Sequence, residues 1–376
     1  MEVVNHTPFP AIGWPNLNKD NQEYITTILR VKYLFDKVDD EGQWSLKLDP
    51  EQGELFMKDV YYDEDIVNSS VRFESDFVTY KPQADLIINA HAHSPVPARE
   101  WRCGVKVLRP TESNKLPFET LIEKWLRVRG ERYIQQDVIG FSFTSSKESR
   151  KVPLRYEYAN GGHIVNPDFD KEHDDPKKEF LIYALYNPVG VGVVHKAQFL
   201  DDTPQRAPQI ESMNESIDKP NMPNPAQGFG FIVRTWHPRV NYVGTFTEEQ
   251  LQKKEPCLPK DFQEIYYNAA HPDLQLKSYF KPDDKVILYN LSKDKWEYSF
   301  KIPNFYFKTQ IEDFLDSNPI FLDIDTVIVD ILEDDMAKNA IYISYRTRMP
   351  ASKDIALINL NMLVPEEFTT RVTDGR

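Results

Sequence analysis

The sequence predicts a mainly β protein, an antiparallel β-sandwich or curled-sheet body with a few short helices in its C-terminal half. Three observations predict it. Apolar and polar residues alternate at period two over many separate stretches, the pattern of strands with one covered face. The 27 prolines outnumber the 14 glycines, and proline removes a backbone donor and interrupts helices, which disfavours long helical bundles. Hydrophobic residues make up 40% of the 376-residue chain and aromatics 12%, enough large apolar side chains to build a core rather than a disordered chain.

Taken in order, the first strand runs from Tyr24 to Phe35, with Ile25, Leu29, Val31, Tyr33 and Phe35 at odd positions and Thr26, Arg30 and Lys32 at even ones. The turn-like Asp39-Asp40-Glu41-Gly42 then leads into Trp44, Leu46 and Leu48, which predicts a hairpin. Val71, Phe73 and Phe77 alternate with Arg72, Glu74 and Asp76. Asp85 to Ala90, with Leu86, Ile87 and Ile88 in sequence, reads as a more fully buried strand. Trp101, Cys103, Val105 and Val107 alternate again. Phe180 to Tyr186 and Val189 to Val194 are two apolar runs broken by Asn187-Pro188. Between Asp201 and Gln227 lie five prolines, so that stretch reads as an irregular surface loop or linker. Short helices are expected at Thr247–Gln250, where the spacing is that of a capping box, at Pro259–Tyr267 and at Thr309–Asp316. The chain returns to strands at Val286–Leu291, Trp296–Ile302, Asp325–Leu332 and Ile341–Arg346, the last two a hairpin around Glu333–Asn339. Two β-rich units are expected, residues 1–140 and residues 150–376, the second carrying the short helices and the proline-rich loop 201–227.

The formal charge of −14 opposes a nucleic-acid partner, because such affinity comes mainly from Lys and Arg displacing phosphate counterions. Only Cys103 and Cys257 are present, which fits a reducing cytosol better than a disulfide framework. Met1 to Trp14 has neither a basic n-region nor an apolar h-region, and no apolar run approaches the roughly 20 residues of a membrane span. A soluble, cytoplasmic protein is expected.

His91 and His93, at i and i+2 on a strand, share a face and could hold a metal. Further ligands would have to come from His163, His173, His195, His237 or His271, all distant in sequence. Asn160-Gly161-Gly162-His163 lacks the Lys-Ser/Thr of a phosphate-binding loop and reads as a tight turn, and Gly190-Val191-Gly192 reads as close backbone packing. No Gly-x-Ser-x-Gly elbow occurs, and neither cysteine sits in a nucleophile motif. The densest polar group is Arg72, Glu74, Asp76, Lys81 and Asp85. On a strand its first three members share a face, where an arginine between acids forms charge-assisted bonds. With no nucleophile or metal signature beside it, it reads as a structural ion network.

Several strings can then be read together: Asn5-His6-Thr7-Pro8-Phe9, Ser70-Val71-Arg72-Phe73-Glu74-Ser75-Asp76-Phe77, Tyr80-Lys81-Pro82 and Ala84-Asp85-Leu86-Ile87-Ile88-Asn89-Ala90-His91-Ala92. Pro153-Leu154-Arg155-Tyr156-Glu157, Asn187-Pro188-Val189-Gly190-Val191-Gly192, Trp236-His237-Pro238-Arg239 and Tyr267-Asn268-Ala269-Ala270 follow. In this order, from Asn5 to about Met349, they resemble the bacterial family catalogued as domain of unknown function 2169. The resemblance implies one family-wide domain over residues 5–349 and an accessory role beside the type VI secretion system. There the protein would be a non-enzymatic adaptor or chaperone that binds an effector, or its spike-tip delivery domain, and assists its loading onto the secretion spike. The implied partners are the cognate effector or toxin and the spike protein, with no cofactor, nucleic acid or membrane. The family supplies no catalytic residues. The residues that match its pattern, Arg72, Glu74, Asp76, Lys81, Asp85, Arg155, Glu157, Gly190, Gly192, Trp236, Pro238 and Asn268, are expected to be structural. The chain departs from that pattern at Arg155-Tyr156-Glu157-Tyr158, where an Arg often follows the Glu, and in lacking a Trp near Tyr133. The alternatives are a metal-dependent hydrolase using His91 and His93, and a structural component of the secreted particle.

Overall fold

The computed structural model describes residues 2–113, 116–165, 181–195, 204–248, 258–311, 319–351 and 357–363. Strands account for 48% and helical turns for 6% of the described residues, so the body is mainly β as expected. Thirteen strands form one large curled half-barrel sheet. They are β1 (Ala11–Leu17), β2 (Glu23–Val38), β3 (Gln43–Leu48), β4 (Ala84–Ala98), β5 (Glu100–Pro110), β6 (Phe118–Arg129) and β7 (Ser149–Pro153). The second half of the chain supplies β8 (Ile210–Ser212), β9 (Gln275–Leu276), β10 (Lys285–Tyr289), β11 (Glu297–Lys301), β12 (Asp323–Ile331) and β13 (Ala340–Pro350).

The order across the sheet is β7-β4-β12-β13-β2-β3-β11-β10-β5-β6-β8, with β1 added to β2 and β9 to β4. The hairpin β12–β13 stands between β4 and β2, and β10–β11 between β3 and β5. The two units expected to divide near residue 140 therefore share one sheet. Neighbours are antiparallel except β12 on β4 and β11 on β3.

The alternation expected for β2 is present, but both faces of the strand are covered. Leu29, Val31 and Tyr33 face the core with Leu86, Ile88, Val327, Val329, Ile341 and Ile343. Thr26 and Arg30, on the opposite face, are buried as well. The segment between β3 and β4 lies over this second face: Arg30 reaches Asp76 and the Glu54 carbonyl, its guanidinium sits 3.8 Å from the Phe56 ring centroid, and Thr26 donates to the Thr79 carbonyl at 2.6 Å.

A four-stranded sheet of Glu2–Asn5, Leu357–Leu363, Tyr306–Ile311 and Ile320–Phe321 covers one end. It joins the body through Phe307, whose ring lies 5.7 Å from Phe9 and 4.7 Å from Tyr345. Thr309 to Ile311, expected to open a helix, are strand here, because their backbone pairs with Ile358 to Leu360; the rest of that expected helix lies outside the described residues. Pro259–Tyr267 yields only the 3₁₀ turn Glu264–Tyr267. Of the expected capping box, Glu249 and Gln250 lie outside the described residues. The proline-rich stretch is not a free linker. Its segment Ile210–Ser212 pairs with β6, and Arg206 and Gln205 pair with Tyr133 and Ile134.

Candidate functional site

The polar cluster of the sequence resolves into separate ion pairs, and its expected common strand face is not formed. The strand carrying Arg72 ends at Phe73, and beyond it the amide of Asp76 bonds to the Phe56 carbonyl at 2.8 Å. Arg72 turns to Asp330 on β12, at 2.7 and 3.2 Å, where Asn89 also donates at 3.1 Å. Glu74 accepts from Arg239 at 2.7 Å and Arg234 at 2.9 Å. Asp76 takes Arg30 and the Phe56 amide. Burial pushes the Asp76 carboxyl up against the opposing pull of Arg30. Lys81, Asp85 and Asn268 are brought together: Lys81 donates to Asp85 at 2.7 Å and Thr326 at 2.8 Å, and Asp85 also receives Asn268 at 3.0 Å and the Ala269 amide at 2.9 Å. Each carboxylate is matched by arginine, lysine or backbone donors, the arrangement of a scaffold.

Arg155 and Glu157 have a different task. Both carboxylate oxygens of Glu157 accept from Ser70, its amide at 2.9 Å and its hydroxyl at 2.6 Å. Arg155 pairs with Glu157 and with Asp63. Together they clamp the loop 61–70 onto the turn at Tyr156. The loop presents Ile66 and Val67 to solvent, 59% and 66% exposed, with Asp65 accepting from the Val67 amide at 3.2 Å.

Facing it is the turn from Ala184 to Gly190. Its centre is Asn187, fully buried, which donates to the carbonyls of Tyr156 at 2.8 Å and Asn160 at 3.0 Å. A Cβ on Gly190 would stand 2.3 Å from the Asn187 amide nitrogen, so the tight turn requires glycine there. Gly192 has φ +111 and abuts Pro208. The His237 amide donates to the Leu185 carbonyl at 3.1 Å, which ties the Trp236-His237-Pro238 segment to this wall.

Between loop and turn lies a cleft of about 340 Å³, with Trp236, Val189 and Pro188 at its base and Ile66, Val67, Tyr183 and Leu185 along its edges. Leu185 is 54% and Tyr183 39% exposed. Four large apolar side chains exposed together mark an interaction surface more strongly than scattered ones. Asp63, Glu64 and Asp65, all exposed, form an acidic lip beside it.

His91 and His93 lie side by side on β4, ring centroids 6.3 Å apart. Lys151 of the edge strand pairs with His93 in register. Among the described residues no group of three or more His, Cys, Asp or Glu side chains could hold a metal ion; His173 is outside them. Cys103 is fully buried, which pushes its thiol well up, and Cys257 lies outside the described residues. No helix among the described residues is long and apolar enough to cross a membrane.

His91 and His271 are held neutral, and burial lowers His93 as well. Burial first, then the Lys151 ammonium and the neighbouring His93 and Arg155, lower His91 from 6.5 to about 4, with Asp334 pulling the other way. Burial and Lys124 do the same to His271, against Asp273. Because both values fall below that of the unfolded chain, their stabilisation is intact above pH 6.5 and is lost as pH falls toward 4. The urea midpoint is expected to drop across that window, and to drop less in His91→Gln; equal slopes in the two proteins would refute the assignment.

A family model described as an uncharacterized protein conserved in bacteria matches residues 20–342. The chain belongs to domain of unknown function 2169. That span takes in the residues expected to be structural, from Arg72 to Asn268, but is shorter than the expected 5–349 and leaves out the string Asn5-His6-Thr7-Pro8-Phe9. No curated protein and no solved structure matches the chain. Within this member of domain of unknown function 2169, sequence reasoning missed the charge partners Arg30, Arg239, Asp330 and Glu211. Arg239 closes the Trp236-His237-Pro238-Arg239 string and was quoted there without a charge partner. Glu211, fully buried among Arg127, Arg129 and Arg132, had no local signal in a proline-rich stretch.

Proposed function

We propose that the protein is a non-enzymatic adaptor that binds a type VI secretion effector, or its spike-tip delivery domain, and assists its loading onto the secretion spike. The cleft at Ile66, Val67, Tyr183, Leu185 and Trp236 carries this reading. It is largely apolar, open and built on the Arg155–Glu157 clamp and the Asn187 turn, and its lining includes no His, Cys, Asp, Glu, Lys or Arg. The acidic lip and the chain charge of −14 favour a client segment with apolar side chains flanked by lysine or arginine, since complementary charge steers encounter and sets register. The type VI context comes from the family resemblance.

Co-expression with the effector encoded beside the gene tests the proposal. The wild-type protein is expected to co-purify with the effector and raise its soluble level. Ile66→Asp with Leu185→Asp places two charges in the cleft and is expected to weaken the complex at least about a hundredfold, two decades of affinity at about 1.4 kcal/mol each. Both sites are exposed, so the fold should persist. No co-purification by the wild type, or full retention by the double variant, sinks the proposal.

A further inference from the structure

The wall of the cleft that carries Tyr183 is the rim of a small two-stranded ladder. His163–Val165 runs antiparallel to Leu181–Tyr183, with His163 opposite Tyr183 and Ile164 opposite Ile182. The Ala184 amide donates to the Gly162 carbonyl at 2.9 Å. That bond brackets the Tyr183–His163 pair from outside, so the pair exchanges no hydrogen bonds of its own. The N–H and C=O of Tyr183 therefore point the other way, off the free side of the ladder.

That free side is occupied at one point. Two residues further along the same edge, the Leu185 carbonyl accepts from the His237 amide at 3.1 Å. At Tyr183 the edge is open: neither backbone group has a partner among the described residues, and Tyr183 lines the cleft together with Val233 and Thr235. Its ring stands on a face of the ladder beside His163, centroids 5.7 Å apart. Strand side chains project off the hydrogen-bonding plane, so the ring does not cover the edge.

An unpaired strand edge is a template for another strand, and here it borders an apolar cleft from which a docked chain excludes water. A helix laid there would cover the Tyr183 N–H and C=O without pairing them, because a helix satisfies its own backbone. An extended segment pairs both. Its side chains alternate between two faces, so every second one can enter the space between Ile66, Val67 and Leu185. The acidic lip selects the flanks of that segment. Asp63 is taken by Arg155, whereas Glu64 and Asp65 have no lysine or arginine partner among the described residues.

We infer that the client binds by strand addition. An extended segment, apolar at alternate positions and flanked by lysine or arginine, pairs with the backbone of Tyr183 and places its apolar side chains in the cleft. The inference rests on the adaptor reading of this cleft and adds to it the conformation and residue pattern of the bound segment.

The test uses the full chain and the purified effector encoded beside the gene. Tyr183→Pro removes the outward N–H and nothing from the inner ladder, and proline is tolerated where a strand N–H faces outward. Tyr183→Val removes the ring and keeps the N–H. In calorimetric titration, Tyr183→Pro is expected to bind the effector about tenfold more weakly than Tyr183→Val, the effect of one main-chain hydrogen bond left unmade. Hydrogen exchange at the Tyr183 amide of the wild type is expected to slow at least about tenfold in saturating effector. Urea midpoints establish that each variant is folded; if Tyr183→Pro is not, the exchange measurement decides. Equal affinities in the two folded variants, or an unchanged Tyr183 exchange rate in the complex, overturns strand addition and leaves the adaptor reading standing. An effector that the wild type does not bind overturns both.

Discussion

Asp85→Ala is expected to destabilise the fold by about 3–5 kcal/mol, the usual consequence of leaving a buried charge unpaired. Asp85 has no exposed surface, and it gathers Lys81 Nζ, Asn268 Nδ2 and the amides of Ala269 and Ala270 at 2.7, 3.0, 2.9 and 3.3 Å. Deleting it strands an ammonium that is 4% exposed and two backbone donors, and leaves the fully buried Asn268 carboxamide only the Gln83 carbonyl at 2.7 Å. Against a total stability of about 5–15 kcal/mol this is a large share, so low soluble yield is expected at 37 °C. Adding Lys81→Met should recover part of the loss, because it removes the orphaned charge. Urea unfolding of the wild type, the single variants and the double variant measures the coupling. A single-variant loss under about 1 kcal/mol would mean that Asp85 does not organise this region.

Glu74→Ala should cost a similar amount, about 3–5 kcal/mol, by the same mechanism. Its loss leaves Arg239, 2% exposed, and Arg234 without their carboxylate. Arg239 retains the carbonyls of Ile232 and Tyr266, at 2.7 and 2.9 Å, so its side chain stays in place with its charge uncompensated. The pair also leaves a pH signature. Burial works to raise the Glu74 carboxyl, but Arg239 and Arg234 outweigh it and hold the group below its usual 4.5. A depressed carboxylate stabilises the fold fully above its unfolded value and loses that contribution as pH falls through the folded one. The acid limb below about pH 4.5 should therefore be shallower in Glu74→Gln than in the wild type. Asp76 acts in the opposite sense. Its raised value makes ionisation unfavourable in the fold, so its contribution is complete below the usual 3.8 and is lost as pH rises through the folded value. Parallel acid limbs in the wild type and Glu74→Gln would remove the arginines as the cause.

Of the candidate site, the sequence showed the parts and not the assembly. Arg155, Glu157, Gly190, Gly192 and Trp236 were singled out only as expected structural residues. What they hold is the cleft, whose edges Ile66, Val67, Tyr183 and Leu185 had drawn no notice. Short apolar residues in a loop look the same in sequence whether they end in a core or at its rim. Tyr156 was quoted only within the string Pro153-Leu154-Arg155-Tyr156-Glu157 and given no role, because an unsatisfied hydroxyl exists only once its surroundings are known. The three carboxylate and arginine positions at 72, 74 and 76 were read as one strand face, yet the ladder stops at Phe73, where the partner segment Val60–Tyr61 runs out.

Local patterning was enough to read the β character, the hairpins β2–β3 and β12–β13, and the buried strand at Leu86–Ile88. Period-two burial and turn residues act over a few neighbouring positions, and no distant contact is needed to state them. The tertiary structure alone decided that strands from both halves of the chain alternate in one sheet, that Thr309–Ile311 is strand, and that the proline-rich stretch is pinned to it. It also chose the ion-pair partners: Arg72 finds Asp330 across 258 positions and Glu74 finds Arg239 across 165. Such pairings arise only after the sheet has closed, since a buried charge takes whichever partner the packed backbone places beside it.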